Sequence, residues 1–168
     1  MKLVSISNHV ARRVFISILA ASALAVGLPQ SAFAQSDPMI GTWKLNLAKS
    51  TFSPGPPPRS STLTIAEVGQ GQTATFDGIS AAGMPTHTVF TVINDGHPHP
   101  VTGSPVVDAS SGRRINAYRT DYSLLKAGKE LQTGAVILST DGKTATFMNT
   151  GANADGQPLS NVAVYEKQ

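Results

Sequence analysis

Most of this chain consists of short segments in which apolar and polar residues alternate, separated by glycine-rich turns. The first of these segments lies at residues 41–50, where Trp43, Leu45 and Leu47 alternate with polar residues. A period of two places these three side chains on one face of a β-strand. Because helical periodicity is absent after residue 35, the pattern predicts an all-β domain that begins with the Trp43 strand.

Turns of hairpin length join the predicted strands, and the strongest turn signals are Asn94-Asp95-Gly96 and Asp141-Gly142. Several strands carry apolar residues on both faces, which suits either a barrel or the centre of a sandwich. Local strand order favours an antiparallel up-and-down barrel of about 8 to 10 short strands, since closure removes exposed strand edges. After the first, the predicted strands are residues 61–68, 72–79, 86–93, 113–127 with a break near Arg119, 130–139, 143–149 and 160–166.

Two proline-rich segments are predicted to lie outside the sheet. Residues 52–60 contain four prolines, which remove N–H donors and fix φ, so we expect a stiff, polyproline-like connector. Pro54, Pro57 and Arg59 also match a ligand motif for SH3 modules, but a plain loop is favoured. Residues 97–111 contain three more prolines and are predicted to be the least regular part of the domain.

An internal repeat supports the barrel. Residues 71–76 read G-Q-T-A-T-F, and residues 142–147 read G-K-T-A-T-F. Each string precedes a G-x-x-A-x-G-x-P turn pattern, which starts at Gly78 in the first copy and at Gly151 in the second. The repeat predicts two equivalent hairpins on opposite sides of a closed sheet.

The first 34 residues have the pattern of a secretory signal peptide. Lys2, Arg12 and Arg13 precede an apolar run at residues 14–28, and an A-x-A pattern ends at Ala34. We therefore expect a signal peptide at residues 1–34 with cleavage after Ala34, a barrel domain at residues 35–168, and a periplasmic or secreted protein. Residues 11–16 also resemble a twin-arginine motif, but an ordinary Sec signal is favoured because paired basic residues are common there.

The signal also accounts for the net positive charge. Without its three basic residues the chain has 10 Lys and Arg against 10 Asp and Glu, so the mature domain is formally neutral. This balance argues against nucleic acid as a partner. The chain has no cysteine, which excludes disulfides and a lipid-anchored N-terminus. With no further long apolar run, the mature protein is predicted to lack a membrane span.

Gly41-Thr42-Trp43 resembles the G-x-W motif of the lipocalins and the wider calycin group. Nearly all of the mature region is similar to a set of small bacterial exported lipocalin-like proteins. The resemblance implies a lipocalin-like β-barrel over residues 35–168, and for this set it implies a fold rather than an activity. The matching stretches are residues 41–46, Lys49-Ser50, and residues 52–56, 85–88, 100–105, 141–144 and 161–167.

Compared with the lipocalins proper, the chain keeps some motifs and lacks others. Their motif tryptophan packs at the closed end of the barrel, so the resemblance implies that position for Trp43. Thr120-Asp121-Tyr122 resembles their second motif. The late arginine that covers the tryptophan is missing, since no arginine follows Arg119, and the helix before their last strand has no counterpart here.

Aromatic residues on predicted strands are the candidate ligand-binding residues. We expect them to line a lumen that takes a small hydrophobic molecule, with the proline-rich connector as a lid. The alternative is that they fill the barrel, which would then be a structural or protein-interacting envelope module without a ligand. The seven candidates are Trp43, Phe76, Phe90, Tyr118, Tyr122, Phe147 and Tyr165.

Histidines form the only conspicuous metal-binding pattern. His97 and His99 lie two residues apart and could share a Zn²⁺ or Cu²⁺ ion with Asp95 or Asp108, and with His87 from the preceding strand. A protein site needs three or four fixed ligands, and this segment is a proline-rich turn. An exposed loop is therefore favoured, and no metal is predicted.

The sequence predicts no enzymatic activity. Four of its ten acidic residues, Asp77, Asp95, Asp141 and Asp155, precede glycine, which is typical of turns and leaves few for a catalytic pair. No serine lies in a G-x-S-x-G elbow. No glycine-rich loop precedes a helix, so no nucleotide cofactor is predicted either.

Overall fold

Eleven strands form one closed antiparallel sheet in the computed structural model, which describes residues 37–168. The predicted signal peptide at residues 1–34 lies outside the described residues. A single turn of 3-10 helix, Leu47–Lys49, interrupts the strands. The strands are β1 (Gly41–Leu45), β2 (Thr51–Ser53), β3 (Ser60–Val68), β4 (Gly71–Ile79), β5 (Pro85–Val92), β6 (His99–Thr102), β7 (Ala109–Asn116), β8 (Arg119–Lys126), β9 (Lys129–Leu138), β10 (Thr144–Ala152) and β11 (Pro158–Lys167).

The barrel closes between the first and last strands. Trp43 of β1 lies opposite Leu63 of β3 on one side and opposite Lys167 of β11 on the other. The short strand β2 pairs with the same strand β11 farther along, with Phe52 opposite Asn161. Together β1 and β2 therefore occupy one of ten positions around the barrel. This arrangement confirms the predicted antiparallel up-and-down barrel.

The first strand is shorter than predicted. The chain leaves the sheet at Asn46, whose side-chain oxygen accepts a hydrogen bond from the Lys49 backbone N–H at 3.1 Å and caps the 3-10 turn. Leu47 consequently lies on that turn and is 40% exposed. The prediction that Leu47 shares the buried face with Trp43 and Leu45 is wrong, because the alternation continues in the sequence after the strand has ended.

Strands also occur within the two proline-rich segments. Strand β2 includes Phe52 and Ser53, so the connector begins only at residue 54. Strand β6 lies inside the segment predicted to be irregular. It tolerates Pro100 because it is short, with two paired positions against each neighbouring strand.

The two copies of the repeat form equivalent hairpins, β4–β5 and β10–β11. In the first turn the Ser80 backbone N–H donates to the Met84 carbonyl at 2.8 Å, and in the second the Asn153 backbone N–H donates to the Gln157 carbonyl at 2.9 Å. Strands β4 and β10 are separated by three strand positions on the shorter way around the barrel. Their repeated phenylalanines meet, since the ring centroids of Phe76 and Phe147 are 6.0 Å apart.

Trp43 is fully buried and anchors the apolar core. Its indole N–H donates to the Met39 carbonyl at 2.9 Å, and Lys167 Nζ lies 5.0 Å from the indole ring centroid. This lysine thus places a cation near the tryptophan ring. Gly41 has φ of 128°, and a Cβ there would lie 3.2 Å from the Lys167 Cε, which explains the glycine of the G-x-W string. Leu45, Leu63, Ile65, Ala74, Leu138, Ala145 and Tyr165 complete this core.

Between Asp37 and the C-terminus, the structure contains no helix long and apolar enough to cross a membrane.

Candidate ligand-binding cavity

A cavity of about 460 Å³ lies inside the barrel, so the described side chains do not fill the lumen. Inward-facing positions of strands β4, β5 and β7 to β11 form most of its wall. The loop between β6 and β7 covers part of it with Val106 and Val107, and Val107 is 5% exposed. Residues 54–59 of the connector are not among the lining residues, so the predicted proline-rich lid does not line the cavity.

Aromatic side chains form one side of the cavity. The ring centroid of Phe76 lies 5.5 Å from that of Phe90 and 6.0 Å from those of Phe147 and Tyr165. The Phe147 and Tyr165 centroids are 5.4 Å apart. All four contacts are edge-to-face, the geometry that aromatic rings prefer. The lumen therefore offers a continuous apolar surface on strands β4, β5, β10 and β11.

Polar side chains face the aromatic surface from other positions. The Asn149 amide nitrogen donates to the Gln132 side-chain oxygen at 2.6 Å, and the Gln132 amide nitrogen donates to the Ala152 carbonyl at 2.9 Å. In contrast, the hydroxyls of Thr88, Ser110 and Thr120 line the cavity without a side-chain hydrogen bond to any described residue. These hydroxyls are not among the residues that the sequence predicted to line the lumen. Strand alternation nevertheless indicates them, because Thr88 lies on the same strand face as Phe90 and Thr120 on the same strand face as Tyr122.

Arg114 is the only formally charged lining residue within residues 37–168. Its guanidinium pairs with the Asp37 carboxylate. The same carboxylate oxygen accepts a hydrogen bond from the Gln72 amide nitrogen at 3.1 Å, and the second oxygen accepts one from the Met39 backbone N–H at 2.9 Å. The one charged side chain of the described cavity wall is thus paired with a carboxylate rather than free.

Both lining tyrosines direct their hydroxyls to partners within the protein. The Tyr122 hydroxyl donates to the Met148 carbonyl at 3.2 Å, and burial raises the pKa of Tyr122 far above its ordinary value. The Tyr165 hydroxyl donates to Ser61 Oγ at 2.9 Å, and burial raises the pKa of Tyr165 as well, against the opposing effect of this hydrogen bond. Both phenols are therefore neutral at physiological pH.

The predicted binding residues divide into two groups. Trp43 is buried in the core and does not line the cavity. Tyr118 lies in the turn between β7 and β8 and is 46% exposed, so the prediction that it lies on a strand is wrong. The chain reverses at this point, which sequence analysis placed near Arg119. The five that line the cavity are Phe76, Phe90, Tyr122, Phe147 and Tyr165.

The side chains of His87 and His99 contact separate carboxylates instead of converging, and His97 contacts Asp95 only through its backbone N–H. His99 Nε2 lies 3.0 Å from Asp95 Oδ1, and His87 Nδ1 lies 2.7 Å from Asp77 Oδ1. A hydrogen bond from the His97 backbone N–H, followed by the His99 contact, lowers the pKa of Asp95. Throughout residues 37–168, no group of three or more histidine, cysteine or acidic side chains is placed to hold a metal ion.

A second, open groove of about 570 Å³ runs over the outer face of strands β7 to β10. Arg119 and Asp121 form an ion pair at 2.7 Å there, and Thr133 and Met148 also line the groove. Its single aromatic lining residue is Tyr122, which it shares with the lumen. The groove lacks the apolar enclosure that favours small-molecule binding, so the lumen is the stronger candidate site.

The sequence matches no protein-family model and no curated protein sequence. Among solved structures, zebrafish ileal bile acid-binding protein complexed with cholic acid is 12% identical, with a TM-score of 0.47 over 78% of this chain and 99% of its own. A redesigned β-barrel, mFAP1, bound to DFHBI is also 12% identical, with a TM-score of 0.38 over 77% of this chain and 95% of its own. At these scores, neither likeness bears on the ligand of this chain.

Proposed function

We propose that this chain is an exported lipocalin-like protein that binds a small hydrophobic molecule in the barrel lumen. The observation that carries the proposal is the cavity of about 460 Å³ with an aromatic surface around Phe76. Its volume lies within the range of about 300 to 1,000 Å³ typical of small-molecule sites. Each Å² of apolar ligand surface buried against this wall contributes about 25 cal/mol.

The export part of the proposal is supported by the sequence. A basic start, an apolar run and an A-x-A pattern ending at Ala34 predict secretion followed by cleavage. The mature protein then acts in the periplasm or outside the cell. Binding, rather than catalysis, suits a cavity whose Arg114, Tyr122 and Tyr165 are all engaged by partners within the protein.

Native mass spectrometry of the mature protein, residues 35–168, tests the proposal. The protein is purified gently from its own host envelope, and we expect a reproducible extra mass of a small organic molecule that is lost on denaturation. Fluorescence of Trp43, whose indole donates to the carbonyl of the cavity-lining Met39, then follows titration with the identified compound. A bare polypeptide mass, together with failure to bind the lipophilic probe N-phenyl-1-naphthylamine, would contradict the proposal.

A cavity-filling variant provides a matched control. Ala163 lines the lumen and lies opposite Phe147 in the sheet. We expect Ala163→Trp to abolish binding of N-phenyl-1-naphthylamine, because the larger ring occupies the lumen. The alternative of a structural or protein-interacting module predicts a bare mass and no difference between this variant and the wild type. No protein partner is proposed.

A further inference from the structure

We infer that the cavity selects neutral, hydroxyl-bearing amphiphiles over carboxylates, because its one cationic lining residue is already paired within the protein. The inference rests on the proposed binding function and names the chemical class of the ligand. It follows from the charges of the wall and from the unpartnered hydroxyls that face the lumen.

Arg114 and Asp37 form an ion pair at the cavity. The Arg114 side chain is 33% exposed and the Asp37 side chain 18% exposed, so the pair is partly shielded from solvent, and both oxygens of Asp37 accept hydrogen bonds from the protein. Arg114 therefore contributes no net charge to the lumen. Asp37 reaches this position from the segment before β1, which the Met39 backbone N–H and the Gln72 side chain hold in place.

A carboxylate ligand meets two obstacles in this cavity. It loses its hydration without gaining an unpaired cation, and burial of an uncompensated charge is strongly unfavourable. Near Arg114 it also faces the like charge of Asp37. A cationic ligand meets the corresponding obstacle, since Asp37 is neutralised by Arg114. A neutral ligand avoids both costs.

Hydroxyl groups of the cavity wall favour binding of an alcohol. Thr88, Ser110 and Thr120 lie on strands β5, β7 and β8, with hydroxyls that both donate and accept hydrogen bonds. They can therefore bond an alcohol without separating charge. The aromatic surface around Phe76 takes the hydrocarbon part of the same molecule.

Competition between two ligands of equal chain length tests the inference. The mature protein is loaded with N-phenyl-1-naphthylamine and titrated at pH 8 with 1-decanol or with decanoate, which is fully ionised there. We expect 1-decanol to displace the probe at concentrations at least about tenfold lower than decanoate, the size expected for an unpaired or like charge.

Two single substitutions locate the effect. Asp37→Asn keeps the shape of the side chain and removes its charge, so we expect the affinity for decanoate relative to that for 1-decanol to rise at least about tenfold. The matched control is Asp121→Asn, which removes the acid of the exposed pair with Arg119 on the outer face. We expect this control to change neither affinity. Thermal unfolding curves verify that both variants fold.

The outcomes separate this inference from the proposed function. Preference of the wild type for 1-decanol, with a gain of decanoate affinity relative to 1-decanol in Asp37→Asn, supports the inference. Equal or tighter decanoate binding by the wild type overturns it and leaves the binding function intact, because Arg114 then binds the carboxylate in spite of its pairing with Asp37. Failure of the probe and of both ligands to bind overturns the proposed function itself. The comparison within the wild type needs no variant.

Discussion

A graded series of Phe→Leu substitutions tests whether the aromatic surface stabilises the barrel through ring–ring contacts. The four phenylalanines of the described domain all pack partly buried against the same core. They differ in the number of edge-to-face partners, which is three for Phe76, two for Phe147 and one for Phe90. Within residues 37–168, Phe52 has no ring partner and serves as the matched control.

The magnitudes follow from this geometry. Replacing Phe by Leu at a packed site costs about 1 kcal/mol through imperfect filling. Each edge-to-face contact adds about 0.5 to 1.5 kcal/mol. Taking about 1 kcal/mol per contact, we expect the free energy of unfolding to fall by about 1 kcal/mol for Phe52→Leu, 2 for Phe90→Leu, 3 for Phe147→Leu and 4 for Phe76→Leu.

Urea unfolding monitored by Trp43 fluorescence measures these changes, since Trp43 is the only tryptophan. The slope of the unfolding free energy against urea is compared among variants, so that stability differences are not confused with changes in the unfolded state. A loss at Phe52 equal to the loss at Phe76 would refute the reasoning. The ring–ring contacts would then add no stability beyond the apolar burial at each site.

Three further predictions concern other parts of the barrel. Lys167→Met removes the cation near the Trp43 ring and the 2.7 Å hydrogen bond from Lys167 Nζ to a backbone carbonyl. We expect this variant to lower the free energy of unfolding by about 1 to 2 kcal/mol, whereas Lys167→Arg should nearly retain the wild-type stability. Gly134→Ala should destabilise severely in thermal unfolding, because its Cβ would lie 2.1 Å from a neighbouring strand carbonyl. Gly128→Ala has open space around it but a φ of 75°, so it should lose only about 1 to 2 kcal/mol through left-handed backbone strain. A hydrogen bond from Lys49, and secondarily one from Asn46, lowers the pKa of Glu166 below its ordinary value of 4.5. These hydrogen bonds therefore stabilise the fold fully above pH 4.5, and that stabilisation is lost as the pH falls through the lowered pKa of Glu166. Urea midpoints between pH 6 and 3 should therefore fall less steeply for Glu166→Gln, and an unchanged slope would contradict this prediction.

The fold class could be predicted from the sequence because the patterns that indicate strands and turns are local. Strand alternation and turn residues act over a few positions, and they placed β3, β4, β5, β9 and both repeat hairpins within one or two residues at most boundaries. Of the seven aromatic residues predicted on strands to line the lumen, five line the cavity, while Trp43 is buried in the core beside it and Tyr118 lies in a turn. Strand alternation also indicates that Thr88 and Thr120 face the interior with Phe90 and Tyr122.

Tertiary structure decided the features that depend on distant parts of the chain. The strand break at Asn46 is held by a hydrogen bond to Glu166, and Lys167 covers Trp43 across the closing seam. Arg114 loses its free charge to Asp37, 77 positions earlier in the sequence. Such pairings follow from strand register and barrel closure, which bring together residues that no local pattern relates. The sequence by itself therefore determined that this chain forms an antiparallel β-barrel, whereas the packing of the closed barrel decided that its lumen is open, has aromatic rings along one side and has its one charged described lining residue paired with Asp37.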